Sequence, residues 1–325
     1  MSFNMFGSTK QVVVIGDLML DKYIEGEVSR LSPEAPVPIL NNILRRYVLG
    51  GALNVANNVH TLGMRVKVVG VVGQDLYSKI IQDLLEQSGI YTGVLRLADR
   101  PTTVKTRIIA RSQQLCRVDD ECLRPLSSKD TSALKDYIDL AIVGEPVGLI
   151  VLEDYGKGVV SDTIVSHTLS LARSRGIPVV VDPKGGDYKR YCGASLLTPN
   201  LQEAQSQVSC KGSFEEITKD LVVKTGVSIL TTLGEQGMYY VSKDEPSKGY
   251  HLPTAAGKVV DVSGAGDTVV AGLALGVLNN HTIEESMAIA NAAAAVVLGK
   301  LGTATVTREE LMTKLHSVGG YSGHQ

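Results

Sequence analysis

The chain has 325 residues, 44% of them apolar, enough to bury the core of one large α/β domain. A net charge of −2 leaves no overall field that favours nucleic acid or an anionic membrane. The most apolar runs, at 268–278 and 288–299, are too short to span a bilayer, and MSFNMFGSTK lacks the apolar stretch of a signal peptide. Cys116, Cys122, Cys192 and Cys210 show neither C-x-x-C nor zinc-finger spacing, so a cytoplasmic protein with reduced thiols is expected.

In chain order, QVVVIGD (11–17) reads as a buried first strand. From Tyr23 to Leu49 no helix fits, and the three prolines of SPEAPVP (32–38) forbid one. Where an alternating β/α chain should turn into a helix, this one makes a β excursion. GGALNVANNVHTLG (50–63) places Ala52, Val55, Ala56, Val59 and Leu62 on one helical face, with Gly63 as the stop. KVVGVVG (67–73) is a strand and 75–89 an amphipathic helix. PTTVKTRIIARSQQLCRVD (101–119) alternates and reads as a strand whose basic stripe includes Lys105, Arg107 and Arg111. Strands at 148–152, 177–182, 195–198 and 227–233 then alternate with helices at about 161–175, 200–209 and 213–225. The end is helical, at roughly 264–279, 282–298 and 307–317. Short apolar strands alternating with helices predict an α/β fold with a mostly parallel sheet covered on both faces. A single domain over 1–325 is expected, with a small β lid from about 23–49 and 101–119.

The P-loop, the dinucleotide-binding glycine fingerprint, H-E-x-x-H and G-x-S-x-G are all missing, and the six histidines form no cluster. Chemistry here must come from carboxylates, backbone amides and basic side chains. In DVSGAGDTVVAG (261–272), Gly264, Ala265 and Gly266 open a helix, with unpaired amides near the positive end of its dipole. Asp267 beside them would repel a resting phosphate. It suits a base that takes a hydroxyl proton while the amides hold the phosphoryl group under attack, an effect of about 10²–10⁴-fold in rate. The helix terminus is expected to keep Asp267 ionised. Asn200 and Glu203, one helical turn apart, fit either a capping box or a hold on the hydration shell of a magnesium ion.

D-V-S-G-A-G-D resembles the D-T-x-G-A-G-D signature of the ribokinase-like (PfkB) carbohydrate kinases, and other pieces follow in that family's order. Gly16-Asp17 looks like the first-strand acid at the sugar, and Gly50-Gly51 with Asn54 like the di-glycine substrate motif. NLQE (200–203) is similar to the N-x-x-E motif and TLGEQG (232–237) to the turn at the nucleotide. The resemblance implies a ribokinase-like fold, ATP and Mg²⁺ as cofactors, and transfer to a sugar hydroxyl. Asp267 would be the base, and Gly264, Ala265 and Gly266 the anion hole. Asp17, Gly50, Gly51, Asn54 and Asp154 would orient the sugar. Thr232, Gly234, Gly237 and Asn291 would sit at the nucleotide, and Asn200 and Glu203 would hold the metal through water.

Within that family, SRLSPEAPVPI (29–39), LEDYGKG (152–158), DPKG (182–185), YCGASLLTPNLQE (191–203) and GKLGTATV (299–306) resemble the heptose 7-phosphate kinases. A sugar-phosphate substrate is implied, its far phosphate held by a set drawn from Lys105, Arg107, Arg111, Arg117, Lys157 and Lys184. Another sugar phosphate, or a non-catalytic sensor of the same fold, is the alternative. Many members carry a nucleotidyltransferase half with an H-x-G-H motif, where this chain has YSGH (321–324), so the resemblance covers the kinase half. One departure stands out: Glu153 puts an acid where a small residue is expected near the sugar. On the lid, the apolar Val37, Ile39, Leu40, Ile43 and Leu44 need a cover, which implies a homodimer.

Overall fold

The computed structural model describes residues 5–111 and 113–318. The YSGH string and the first four residues of MSFNMFGSTK lie outside the described residues. The chain opens with β1 (Gln11–Leu31), β2 (Pro38–Gly51), α1 (Ala52–Thr61), β3 (Arg65–Gly73), α2 (Leu76–Ser88) and β4 (Tyr91–Leu97). Next come β5 (Thr103–Ala110), β6 (Gln113–Asp120), α3 (Ser128–Val143), β7 (Val147–Glu153), α4 (Asp162–Arg175), β8 (Val179–Asp182) and β9 (Leu196–Leu197). The remainder is α5 (Leu201–Gln207), α6 (Phe214–Thr225), β10 (Ser228–Thr232), β11 (Met238–Val241), β12 (Tyr250–Leu252), α7 (Ala265–Leu278), α8 (Ile283–Val297) and α9 (Arg308–Ser317).

The main sheet runs β12-β11-β10-β9-β8-β7-β1-β3-β4. It is parallel from β4 to β10, and β11 and β12 add an antiparallel edge. Side-chain alternation along β1 sends Val12, Val14, Leu18 and Leu20 into one core, with α1, α7 and α8. Val13 and Ile15 enter the other, with α3, α4 and α6. The sheet is covered on both faces, as the near-continuous apolar strands require.

The excursion after the first strand is a continuation of it. β1 runs on for 21 residues, and its second half leaves the main sheet to pair with β2 (antiparallel) and β5 (parallel). With β6, these strands form a small second sheet. The 101–119 stretch is a hairpin rather than the single strand expected. It turns at Arg111, whose φ is 48°, and sets Arg117 opposite Arg107. No element was assigned over α3, β4 or the β11–β12 edge, and the structure adds all three.

Almost every residue of α7 is buried, so it packs on all sides and its N-terminus cannot drift. It crosses α8 closely: a methyl group on Gly272 would lie 2.5 Å from Ala290 Cα. Alanine is the better helix former by about 1 kcal/mol, but overpacking against fixed backbone costs about 1–3 kcal/mol. Gly272→Ala is therefore expected to destabilise the protein, lowering its urea midpoint. A midpoint equal to or above wild type would show that the α7–α8 contact yields easily.

Candidate active site

The C-terminal ends of β7, β8 and β10, the middle of β1 and the N-terminus of α7 converge on a cavity of about 290 Å³. This is where open α/β sheets place their ligands. A second cavity of about 550 Å³ adjoins it, and the two share Thr232 and Gly266. Its walls include Met238, Val259, Val262, Ala265, Val269 and Leu298, so it is largely apolar, and Gly234, Gly237 and Asn291 also line it. Asn291 pins the 253–255 segment beside it, donating to the Pro253 carbonyl at 2.7 Å and accepting from Ala255 N at 3.0 Å.

Asp267, the third residue of α7, lines the first cavity and is only 7% exposed. Its Oδ2 accepts from Asn54 Nδ2 and its Oδ1 from the Tyr155 hydroxyl, each at 2.5 Å. Burial raises its pKa, and these two donors pull it part of the way back. Desolvation outweighs these donors and makes Asp267 the stronger base. Gly264 caps α7 with φ +76°, a region side chains avoid, and a Cβ there would lie 2.8 Å from Asn54 Nδ2. Asn54 can reach the base because position 264 is glycine. Of the three amides expected to form the anion hole, Ala265 N instead donates to the Val262 carbonyl at 3.3 Å. Those at Gly264 and Gly266 have no partner inside the helix, and a Cβ at Gly266 would face open space.

The first-strand acid is not where the sequence put it. Asp17 is 1% exposed and outside the cavity. Its carboxylate accepts from the amides of Tyr155, Lys157 and Val159 at 2.8, 3.1 and 3.3 Å, so it shapes the loop after β7. Asp21, four residues on, lines the cavity, accepting from Arg107 Nη1 at 2.6 Å and Thr303 Oγ1 at 2.8 Å. Period-two counting carried past Asp17 to Met19 and Asp21 would have found it. Gly51 lines the cavity; Gly50 stays behind it, where a Cβ would crowd Asp21 Oδ2 at 3.0 Å. Asp154 lines it too, while accepting from the Tyr191 hydroxyl at 2.6 Å and Gly156 N at 2.8 Å.

The basic candidates divide. Lys105, Arg107 and Lys184 reach the cavity. Burial lowers the pKa of Lys105, and Lys184 pairs with Glu203 Oε1 at 2.5 Å. Arg107 also borders a third cavity of about 530 Å³ under the second sheet, which Arg111 lines at the hairpin turn. Arg117 and Lys157 reach none of these cavities. Arg117 clasps Asp119 on its own strand at 2.8 and 3.0 Å, and Lys157 pairs with Glu121 at 2.7 Å.

Asn200 and Glu203 line the cavity and form a full capping box at the start of α5: Glu203 N donates to Asn200 Oδ1 at 2.9 Å, and Asn200 N to Glu203 Oε2 at 3.0 Å. Glu153 brings no extra charge to the sugar side. It is fully buried outside the cavity, with neither carboxylate oxygen hydrogen-bonded among the described residues. Burial, then Asp182, Asp267 and Asp154, push its pKa far up and favour its neutral form. Asp182 and Tyr155 were missed. Both line the cavity from segments the sequence singled out for other residues, DPKG and LEDYGKG.

An acid aimed into a pocket beside an amide-lined helix start, continuous with an apolar cavity, defines a small-molecule phosphotransferase. The chain belongs to the pfkB family of carbohydrate kinases, whose model matches residues 9–310, and is a phosphotransferase acting on a sugar hydroxyl. It is 41% identical to the Bifunctional protein HldE of Haemophilus influenzae (strain PittGG) over 318 residues, which cover 94% of this chain and 64% of that protein. The Bifunctional protein HldE of Gluconacetobacter diazotrophicus is also 41% identical, with 95% and 64% covered. The chain thus spans about 64% of the length of these relatives. The fold matches Arabidopsis thaliana ribokinase complexed with ribose and ATP (TM-score 0.72, 22% identity, 94% of this chain and 98% of that one). It also matches Escherichia coli phosphofructokinase-2 in complex with potassium (TM-score 0.77, 17% identity, 95% and 99%). Among the described residues no helix is long and apolar enough to cross a membrane.

Asp182 gives a pH prediction. Burial raises its pKa from 3.8 to about 8. Between these values the folded protein keeps a proton that the unfolded chain has released. Stability from this group is therefore complete below pH ~4 and lost as pH rises to about 8. Asp182→Asn, which keeps an acceptor for Thr198 Oγ1, should lose less stability than wild type between pH 5 and 8 in urea unfolding. Parallel pH profiles would show that Asp182 is ionised throughout.

Proposed function

We propose that the chain is an ATP-dependent kinase that phosphorylates the anomeric hydroxyl of D-glycero-D-manno-heptose 7-phosphate, giving the 1,7-bisphosphate for ADP-heptose and lipopolysaccharide core synthesis. The observation that carries this reading is the junction at Gly266, where an apolar cavity meets a charged one beside Asp267. The similarity to HldE over 94% of the chain supports the heptose substrate.

In this reading the adenine lies in the apolar cavity and the phosphates cross Gly266 into the charged one. The acceptor hydroxyl gives its proton to Asp267 as its oxygen attacks the γ-phosphorus in line, and the bond from that phosphorus to the β,γ-bridging oxygen breaks to release ADP. The amides at Gly264 and Gly266 take up charge on the transferring group. Asp21, Gly51 and Asp154 orient the sugar, while Lys105, Arg107 and Lys184 meet its far phosphate. Asn200 and Glu203 present oxygen donors to the same cavity, which fits a Mg²⁺ that keeps most of its waters. When bound, the ion neutralises charge on the nucleotide phosphates. The second sheet acts as a lid that excludes water during transfer. A non-catalytic sensor would have no use for a buried, doubly hydrogen-bonded base.

The lid leaves Leu31, Val37, Ile43 and Leu44 between 43% and 63% exposed, and we assign them to a homodimer contact of a cytoplasmic enzyme. Leu44→Asp should yield monomers by light scattering; a wild-type protein already monomeric at micromolar concentration removes this assignment.

The substrate is tested by ADP release with heptose 7-phosphate, hexose 6-phosphates and the unphosphorylated sugars, with Asp267→Asn alongside. Turnover should require a phosphorylated sugar and be greatest with the heptose. Asp267→Asn should lose at least about 10²–10⁴-fold in kcat. Preference for a hexose phosphate would reassign the substrate, and near-wild-type turnover by Asp267→Asn would remove the base.

A further inference from the structure

The base has two hydrogen-bond donors of different standing. Asn54 is 0% exposed and holds Asp267 from behind, within the core. Tyr155 lines the cavity and donates from the substrate's side. A carboxylate offers about four lone-pair sites, so one donor on each oxygen fixes its plane and leaves sites open for an acceptor hydroxyl. The aromatic ring also carries the Lys105 ammonium, 5.3 Å from its centroid. Among the described residues Lys105 makes no ion pair, and its charge favours the ionised form of Asp267. Asp17 fixes the backbone behind this arrangement by accepting from the amides of residues 155, 157 and 159. A buried acid is thus committed to holding the loop in the one shape that brings Tyr155 onto Asp267.

We propose that Tyr155 is a positioning residue for phosphoryl transfer, its hydroxyl orienting the Asp267 carboxylate toward the acceptor hydroxyl. This rests on Asp267 being the base. The alternative is that Tyr155 only fills the wall of the cavity and supports Lys105. Tyr155→Phe separates the two, because it keeps the ring, the cation contact and the packing and removes the hydroxyl alone.

The test compares kcat, KM and the pH dependence of kcat/KM for wild type, Tyr155→Phe and Asp267→Asn in the ADP-release assay. Tyr155→Phe should lower kcat by about 10- to 100-fold, leaving KM for ATP unchanged. Its acidic limb should move up by about one pH unit, because ionised Asp267 loses a donor. The other groups facing Asp267 stay the same in this variant: Asp21 from β1, Lys105 from β5, Glu153 at the end of β7 and Asp182 at the end of β8. The shift therefore reads the hydroxyl. If Asp267→Asn is inactive and the Tyr155→Phe limb coincides with wild type, the positioning role is overturned and the base stands. If Asp267→Asn stays active, the base reading falls, and this inference with it.

Discussion

The carboxylate of Asp267 is held at the start of a helix that the core encloses on every side, and most of the site follows from keeping it there. An acid with this little exposure is costly to ionise unless donors meet it. Both of its oxygens are met, by Asn54 and Tyr155. Each donor needs a local concession in turn. Asn54 needs a glycine at 264, in a conformation that other residues avoid. Tyr155 needs the loop after β7 gathered onto Asp17. The GAGD string and the LEDYG string, over a hundred residues apart, are two halves of one hydrogen-bonded unit.

Around that unit the strand ends collect more acid than a phosphate-handling pocket needs. Glu153 and Asp182 face each other across the β7–β8 ladder, with Asp154 next along the chain. They coexist because burial favours the protonated form of Glu153 and Asp182, whose pKa values are raised, while Tyr191 and Gly156 donate to Asp154. The basic side chains answer specific partners: Arg107 meets Asp21 and Lys184 meets Glu203. Lys105 is the cation in the cavity with no ion pair among the described residues. Arg107 and Lys184 are thus held by carboxylates, whereas Lys105 sits over the Tyr155 ring with its pKa lowered by burial.

The α/β alternation, the helix boundaries and the glycine-opened start of α7 were legible because they depend on local signals: apolar period, N-caps and glycine stops. The helices expected at 264–279, 282–298 and 307–317 form at Ala265–Leu278, Ile283–Val297 and Arg308–Ser317. What was not legible depends on chain paths that period alone cannot give. The 101–119 stretch keeps its alternation through a turn at Arg111, so one strand and a hairpin look alike until pairing is known. Asp17 and Asp21 are the same residue type on the same strand. Only the position of the loop after β7 decides which of them it covers. Tyr155 stood beside a residue already given a role, and its partner lies 112 positions away.

The length of β1 ties these features together mechanically. One unbroken strand begins in the middle of the main sheet, passes Asp17 under the loop that carries Tyr155, lays Asp21 in the cavity and ends as the spine of the second sheet. Strand pairing fixes register along its whole length, so β2 and β5 cannot slide without taking Asp21 and its partner Arg107 along. A sheet attached by a flexible linker could move without the site registering it. This one shares a strand with the site. Any rotation of the second sheet about the point where β1 leaves the main sheet moves Arg107 and Lys105 relative to Asp267.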